Sequence, residues 1–183
     1  MDLLERVKAI LVMPEHAWPA IAREPAPASW LLKHYVAILA VIPALAHVVG
    51  ASLVGRYAPV LASLAGGLIA YLSSFAAVYG VALIVDLLAP AFGARKGFAK
   101  AFNLAVYSAT PAWLAGIFLS VPGLSFLVVL ALYGAYLLWV GLPILMQVPG
   151  ERALAYAAAV TVCALVITIG LGMLEAQLLI VAW

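Results

Sequence analysis

The chain has 183 residues, 68% of them apolar and 9% charged, with a mean hydropathy of +1.22. An ordinary soluble domain is about half apolar and about a quarter charged, and no soluble core of this size hides so much apolar surface. The composition therefore excludes water as the sole solvent and describes an integral membrane protein. The net charge is only +2, so the placement of the charges says more than their sum. A single cysteine, Cys163, excludes an intramolecular disulfide or a Cys-based zinc site, and His16, His34 and His47 are too scattered for a ligand set.

Residues 2–13 (DLLERVKAILVM) carry helical periodicity. Leu3, Leu4, Val7, Ile10 and Leu11 share one face, and Asp2, Glu5, Arg6 and Lys8 the other. Asp2 and Glu5 interrupt the opening, so it does not read as a secretory signal. Too short and too charged to span, the stretch is expected to lie along the membrane surface until Pro14 closes it. A solvated helix packed on the loops is the alternative. Residues 14–30, with Pro14, Pro19, Pro25 and Pro27, are expected to form an irregular linker whose Trp18 and Trp30 suit the headgroup zone. The expected membrane-surface contacts are thus Leu3, Leu4, Val7, Leu11, Trp18 and Trp30, on a cytoplasmic segment of residues 1–33 ahead of a transmembrane domain of residues 34–183.

Five apolar runs follow, at about residues 35–53, 59–88, 101–120, 124–147 and 154–175. The first contains Pro43, which can kink it, and His47. Residues 50–58 make a turn containing Arg56. The second run holds thirty residues where ~20 cross the hydrocarbon, so it tilts, bends near Gly66-Gly67 or protrudes. Along it Gly66, Ala70, Ser73, Ala77 and Gly80 recur at three and four, a small-residue ridge of the kind that lets helices approach in lipid. A loop with Arg95, Lys96 and Lys100 leads to a hairpin of two uncharged spans about a Val121-Pro122-Gly123 hinge. Glu151 and Arg152 form the next loop. The last run has Ala155, Ala159, Cys163 and Gly170 on one small-residue side and reaches Glu175, and Trp183 is a further interface anchor.

Five spans place the termini on opposite sides. Arg6, Lys8, Arg23, Lys33, Arg95, Lys96, Lys100 and Arg152 fall on one side and Arg56 alone on the other. By the positive-inside rule the amino terminus is cytoplasmic and the carboxyl terminus outside.

An ionisable residue within a span is by default a functional candidate. Asp86 lies one turn before Pro90, at a depth where it could accept from Tyr107 or Asn103 on the third span. It reads either as a proton- or cation-responsive group or as a carboxylate tied to Arg95, Lys96 or Lys100. Asn103, Tyr107 and Thr110 align on the third span, and Tyr133 and Tyr136 on the fourth with Pro143 and Gln147. Facing each other, these stripes and the carbonyls freed by Pro111 and Pro143 could line a polar cleft, since such carbonyls in a membrane need a neighbour, water or a ligand. Interhelical hydrogen bonding that merely joins the spans is the other reading. Metalloprotease, phosphate-loop, dinucleotide and nucleophile-elbow motifs do not occur, nor do the basic-aromatic stripes of nucleic-acid binders. No cofactor, metal, catalysis or nucleic-acid partner is expected.

Several segments resemble the Yip-domain proteins, five-span membrane proteins named for interaction with Rab-type GTPases in eukaryotes. The resemblance rests on Arg6-Val7-Lys8 with Ile10-Leu11, Pro14, Ala17-Trp18, Ile21 and Glu24-Pro25, and on Ile42-Pro43-Ala44-Leu45. It continues in Asp86 to Pro90 with Phe92-Gly93, in AVYSATPAW (Ala105 to Trp113), in Leu132-Tyr133-Gly134 to Trp139, and in Gly141-Leu142-Pro143. It covers nearly the whole chain, and the bacterial branch is the nearer likeness. Eukaryotic members carry an Asp-Leu-Tyr-Gly-Pro motif; Asp86 to Pro90 matches it at three of five places but ends a span rather than preceding the first one, so that role is not carried over. The resemblance implies a fold and a bacterial cytoplasmic-membrane location, and no reaction.

The expectation is an all-α, five-span bundle with an amphipathic interfacial helix. Its function is that of a non-enzymatic organiser binding lipids, other membrane proteins or a second copy of itself. The alternative is a small carrier or channel using Asp86, Tyr107, Thr110, Tyr133 and Tyr136.

Overall fold

The computed structural model describes residues 3–54 and 59–182, and every regular element among them is a helix. Asp2, Arg56 and Trp183 lie outside the described residues, as do residues 55–58 of the expected turn; residues 50–54 of it belong to the first span's helix.

Two short helices come first, α1 (Leu3–Val12) and α2 (Pro14–Arg23). The second replaces the expected irregular linker, and the reason lies in where its prolines fall. Pro14 occupies the first helical turn, where its missing N–H would have had no partner anyway. Met13 sits outside the helix at φ −136°, and its carbonyl takes the amides of His16 and Ala17. Pro19 is the one interior proline, and Pro25 and Pro27 fall beyond the end. A proline-rich segment thus starts and stops a helix rather than preventing one.

Five membrane-spanning helices follow: Ala28–Val54, Val60–Phe92, Phe98–Ser120, Gly123–Leu145 and Gly150–Leu178. They begin earlier or run later than the apolar runs suggest, because helical pairing continues into the flanking polar residues. The first span winds more loosely at Leu32–Val36 and again at Val49–Val54. The third breaks at Ala109, one residue before Thr110-Pro111, and tightens at Gly116–Ser120. In the fourth, Pro122–Leu132 is a tight helix of eleven residues. Such runs rarely exceed three or four residues; nothing in the sequence pattern explains this one. Its ~2.0 Å rise, followed by an α-helix at ~1.5 Å, makes the span about 40 Å long, against ~30 Å of hydrocarbon. Tyr133, the first residue of the α-helical half, falls near the middle of the span.

The third span is the centre of the bundle. Of its most apolar stretch 67% is buried, against 17% in the second span and 11% in the fifth. Every residue from Ala101 to Ser108 is buried. The second span packs against the first, third and fifth, the fourth against the third and fifth, and α2 lies along the fourth. The second and fifth spans turn Leu64, Leu68, Leu72, Val162, Val166 and Ile169 outward, as lipid-facing helices do. Close approach is concentrated at a few glycines. A Cβ on Gly134 would stand 2.5 Å from the Ser108 carbonyl, and one on Gly141 would stand 2.8 Å from the Trp18 ring. Without an apolar driving force between helices in lipid, such contacts are the main source of cohesion.

Candidate functional site

Asn103 sits on the first turns of the third span, facing the segment between α2 and the first span. Its amide nitrogen donates to the carbonyls of Ala26 at 2.9 Å and Ala99 at 2.9 Å, and its oxygen accepts the Ala26 amide at 3.1 Å. One side chain thereby satisfies both backbone groups of Ala26. One turn further in, Tyr107 is buried between two aromatic edges, Tyr35 at 5.0 Å and Trp18 at 6.3 Å between ring centroids. The guanidinium of Arg6, from α1, lies 5.8 Å from the Tyr107 ring centre, within the range of a cation–π contact.

Pro111 explains the next contact. Lacking an N–H, it cannot bond the carbonyl four residues back, that of Tyr107. Thr110 takes over: its hydroxyl donates to the Tyr107 carbonyl at 2.7 Å. With its one hydrogen so placed, the Thr110 oxygen accepts from the Tyr35 hydroxyl at 2.8 Å. The carbonyl that proline sets free is thus closed by a neighbour, through a relay joining the first and third spans.

Asp86 stands apart from this group. Its carboxylate accepts the Gly97 amide at 2.7 Å, joining the end of the second span to the loop before the third. Beside it, the Tyr156 hydroxyl of the fifth span donates to the Val85 carbonyl. Tyr133 and Tyr136 form a third locale. They are partly exposed, pack on each other at 5.3 Å and continue to Trp139 at 6.0 Å; the Tyr133 hydroxyl donates to the Leu11 carbonyl of α1 at 3.0 Å. The six polar residues therefore divide into a buried centre (Asn103, Tyr107, Thr110), a loop clasp (Asp86) and an outward aromatic face (Tyr133, Tyr136). They do not line one path.

On the second span Gly66 is buried and Ala70, Ser73, Ala77 and Gly80 are half-buried. A Cβ on Gly80 would stand 3.3 Å from Ile167 of the fifth span, so at that level the ridge meets this chain's own helix. Around α1, Leu4 is 73% exposed while Leu3, Val7 and Leu11 are half-buried. Trp30 is exposed and stacks on His34 at 5.3 Å. Trp18 is fully buried against Gly141 and Leu104, inside the bundle rather than at its rim.

Sequence reasoning does not single out Tyr35 or Tyr156, and it names Arg6 only for its charge and its place in the family resemblance. A tyrosine in an apolar run is ambiguous between an interface anchor and a buried donor; only the partner opposite it decides. Among the described residues no group of three or more His, Cys, Asp or Glu side chains is placed to hold a metal.

The fold and these contacts define a multi-pass α-helical membrane protein with a polar seam closed inside its central helix. The Yip1 domain family model matches residues 8–171, from within α1 to the fifth span, and the chain belongs to that family. No curated protein and no solved structure matches the chain.

Proposed function

We propose that the protein is a non-enzymatic organiser of the cytoplasmic membrane, binding lipid and partner membrane proteins, or a second copy of itself, through its outer helix faces and its charged rim. The observation that carries this reading is the closure of most of its intramembrane polar side chains, the Ser108 hydroxyl and the Trp18 indole being buried without a partner among the described residues. Tyr35, Asn103, Thr110, Tyr133 and Tyr156 are each engaged by another part of the chain. What is left for other molecules is an apolar periphery, the basic loop of Arg95, Lys96 and Lys100, and the exposed Leu4, Val12 and Met13 of α1 and its end. The eight basic residues on the amino-terminal side support a cytoplasmic orientation for that side.

The test is extraction in native lipid particles, followed by mass spectrometry of what remains bound. The expected result is a stoichiometric companion, lost when Ala70→Leu and Ala77→Leu thicken the ridge or Leu4→Glu spoils α1, in variants that still accumulate. A companion-free particle from the wild type sinks the reading.

A further inference from the structure

The loop between the second and third spans meets the one between the fourth and fifth. The Arg95 amide donates to the Met146 carbonyl at 2.9 Å, and a Cβ on Gly93 would stand 3.4 Å from the Arg152 guanidinium. Where the loops meet, an open hollow of about 400 Å³ is lined by Arg95, Lys96, Phe98, Ala99, Lys100 and Gln147, with Leu145 at its apolar edge. Three of the lining residues are cations and none is an acid. Asp86, the carboxylate bonded to Gly97, does not line it. Among the described residues Arg95, Lys96 and Lys100 make no ion pair.

The hollow also receives the start of the third span's helix, Phe98–Ser108. The Gly97 amide is taken by Asp86, but the amides of Phe98 and Ala99 have no acceptor in their own helix, and both residues line the hollow. Residues bearing a guanidinium, two ammonium groups and free helix-start amides border one concave space, a set of donors suited to a compact oxyanion. Its floor continues into Phe98 and Leu145, at the end of apolar spans.

We infer that this hollow binds a phosphate group, carried by the headgroup of an anionic phospholipid whose chains lie along the neighbouring spans. The inference rests on the lipid-contacting reading above and gives it a specific ligand chemistry. A soluble phosphate would be recognised by the same donors, and the experiment separates the two.

The purified full chain is placed in bilayer discs of phosphatidylcholine, with or without phosphatidylglycerol, and the lipids retained are counted by native mass spectrometry. Inorganic phosphate is titrated separately into the neutral discs while the unfolding midpoint is followed. Selective retention of phosphatidylglycerol is expected. It should fall roughly fivefold for each cation removed, about a hundredfold when Arg95→Gln, Lys96→Gln and Lys100→Gln are combined. Ala99→Trp, which fills the hollow and keeps every charge, should abolish it as well; Lys33→Gln should not. Stabilisation by inorganic phosphate, lost in the same variants, keeps the anion site and assigns it to a soluble ligand. Equal retention by the wild type and both hollow variants overturns the site. If the companion sought above persists in that case, only the hollow is overturned; if it is absent too, the organiser reading falls with it.

Discussion

Asn103 holds Ala26 by both of its backbone groups, donating to the carbonyl at 2.9 Å and accepting the amide at 3.1 Å. The bonds join residues 77 apart in sequence. They dock the segment after α2 onto the central span, at the point where the chain turns into the membrane. Asn103→Leu would leave that N–H and C=O without partners. At about 1–3 kcal/mol for each unsatisfied buried group, two groups amount to roughly 2–6 kcal/mol, and the half-burial of Ala26 places the expected loss in unfolding free energy at the lower end. Denaturant titration in micelles measures it, and hydrogen exchange at the Ala26 amide should accelerate. Unchanged exchange there would show that the clasp does not hold this segment.

Pro111 and Thr110 form a coupled pair, because the hydroxyl of one answers the carbonyl left open by the other. Thr110→Val removes that hydroxyl and should destabilise the wild type by about 0.6 kcal/mol, with ~1.7 kcal/mol as the upper range for such bonds in membranes. Pro111→Ala restores an amide at the right place. In that background Thr110→Val should cost less, and Tyr35→Phe should account for most of what remains. A double-mutant cycle on the unfolding midpoint checks this; strict additivity of Thr110→Val and Pro111→Ala would contradict the relay.

Much of this architecture is legible in the sequence, and the illegible part has a physical cause. The five spans are visible because hydrocarbon requires long apolar runs whatever the neighbours are. The need to satisfy the carbonyl opened by Pro111 is visible too, since the loss of an N–H is local. That the satisfier is Thr110, with Tyr35 behind it, depends on the rotation of two helices about their axes, which one chain of apolar residues does not encode. The same holds for the ridge on the second span. Its spacing marks a close-packing face, but the closest approach falls at Gly50 of the first span, against the Leu119 carbonyl, with others at Gly116, Gly134 and Gly141. Trp18 was expected at the headgroups because indoles prefer them. Here a glycine opposite makes room for it inside the bundle.

Trp18 and Gly141 make a second test of packing. The Trp18 ring is fully buried, and its indole nitrogen has no hydrogen-bond partner among the described residues. Trp18→Ala should cost about 3–5 kcal/mol, as large aromatic truncations in cores do. Trp18→Phe keeps most of the volume and removes the unpaired donor, so it should cost markedly less. Gly141→Ala would press a methyl to within 2.8 Å of the ring and 2.5 Å of Leu104, and overpacking of that kind typically costs about 1–3 kcal/mol. Limited proteolysis between α2 and the first span should then speed up. Resistance equal to the wild type would mean that α2 is held elsewhere.

Asp86 separates the organiser reading from a carrier. Its observed task is to accept the Gly97 amide, and Asp86→Asn retains an oxygen for that bond. The change exchanges a hydrogen bond to a charged group, worth about 1.5–3 kcal/mol, for a neutral one of about 0.5–1.5 kcal/mol. A modest loss of roughly 1 kcal/mol is therefore expected for Asp86→Asn, and a larger one, with a loosened loop, for Asp86→Leu. Proton or cation flux into vesicles should be the same for the wild type and Asp86→Asn, because a clasp carries nothing. A flux present in the wild type and absent in a well-folded Asp86→Asn would make the carboxylate a coupling group, and the organiser would have to yield to a carrier.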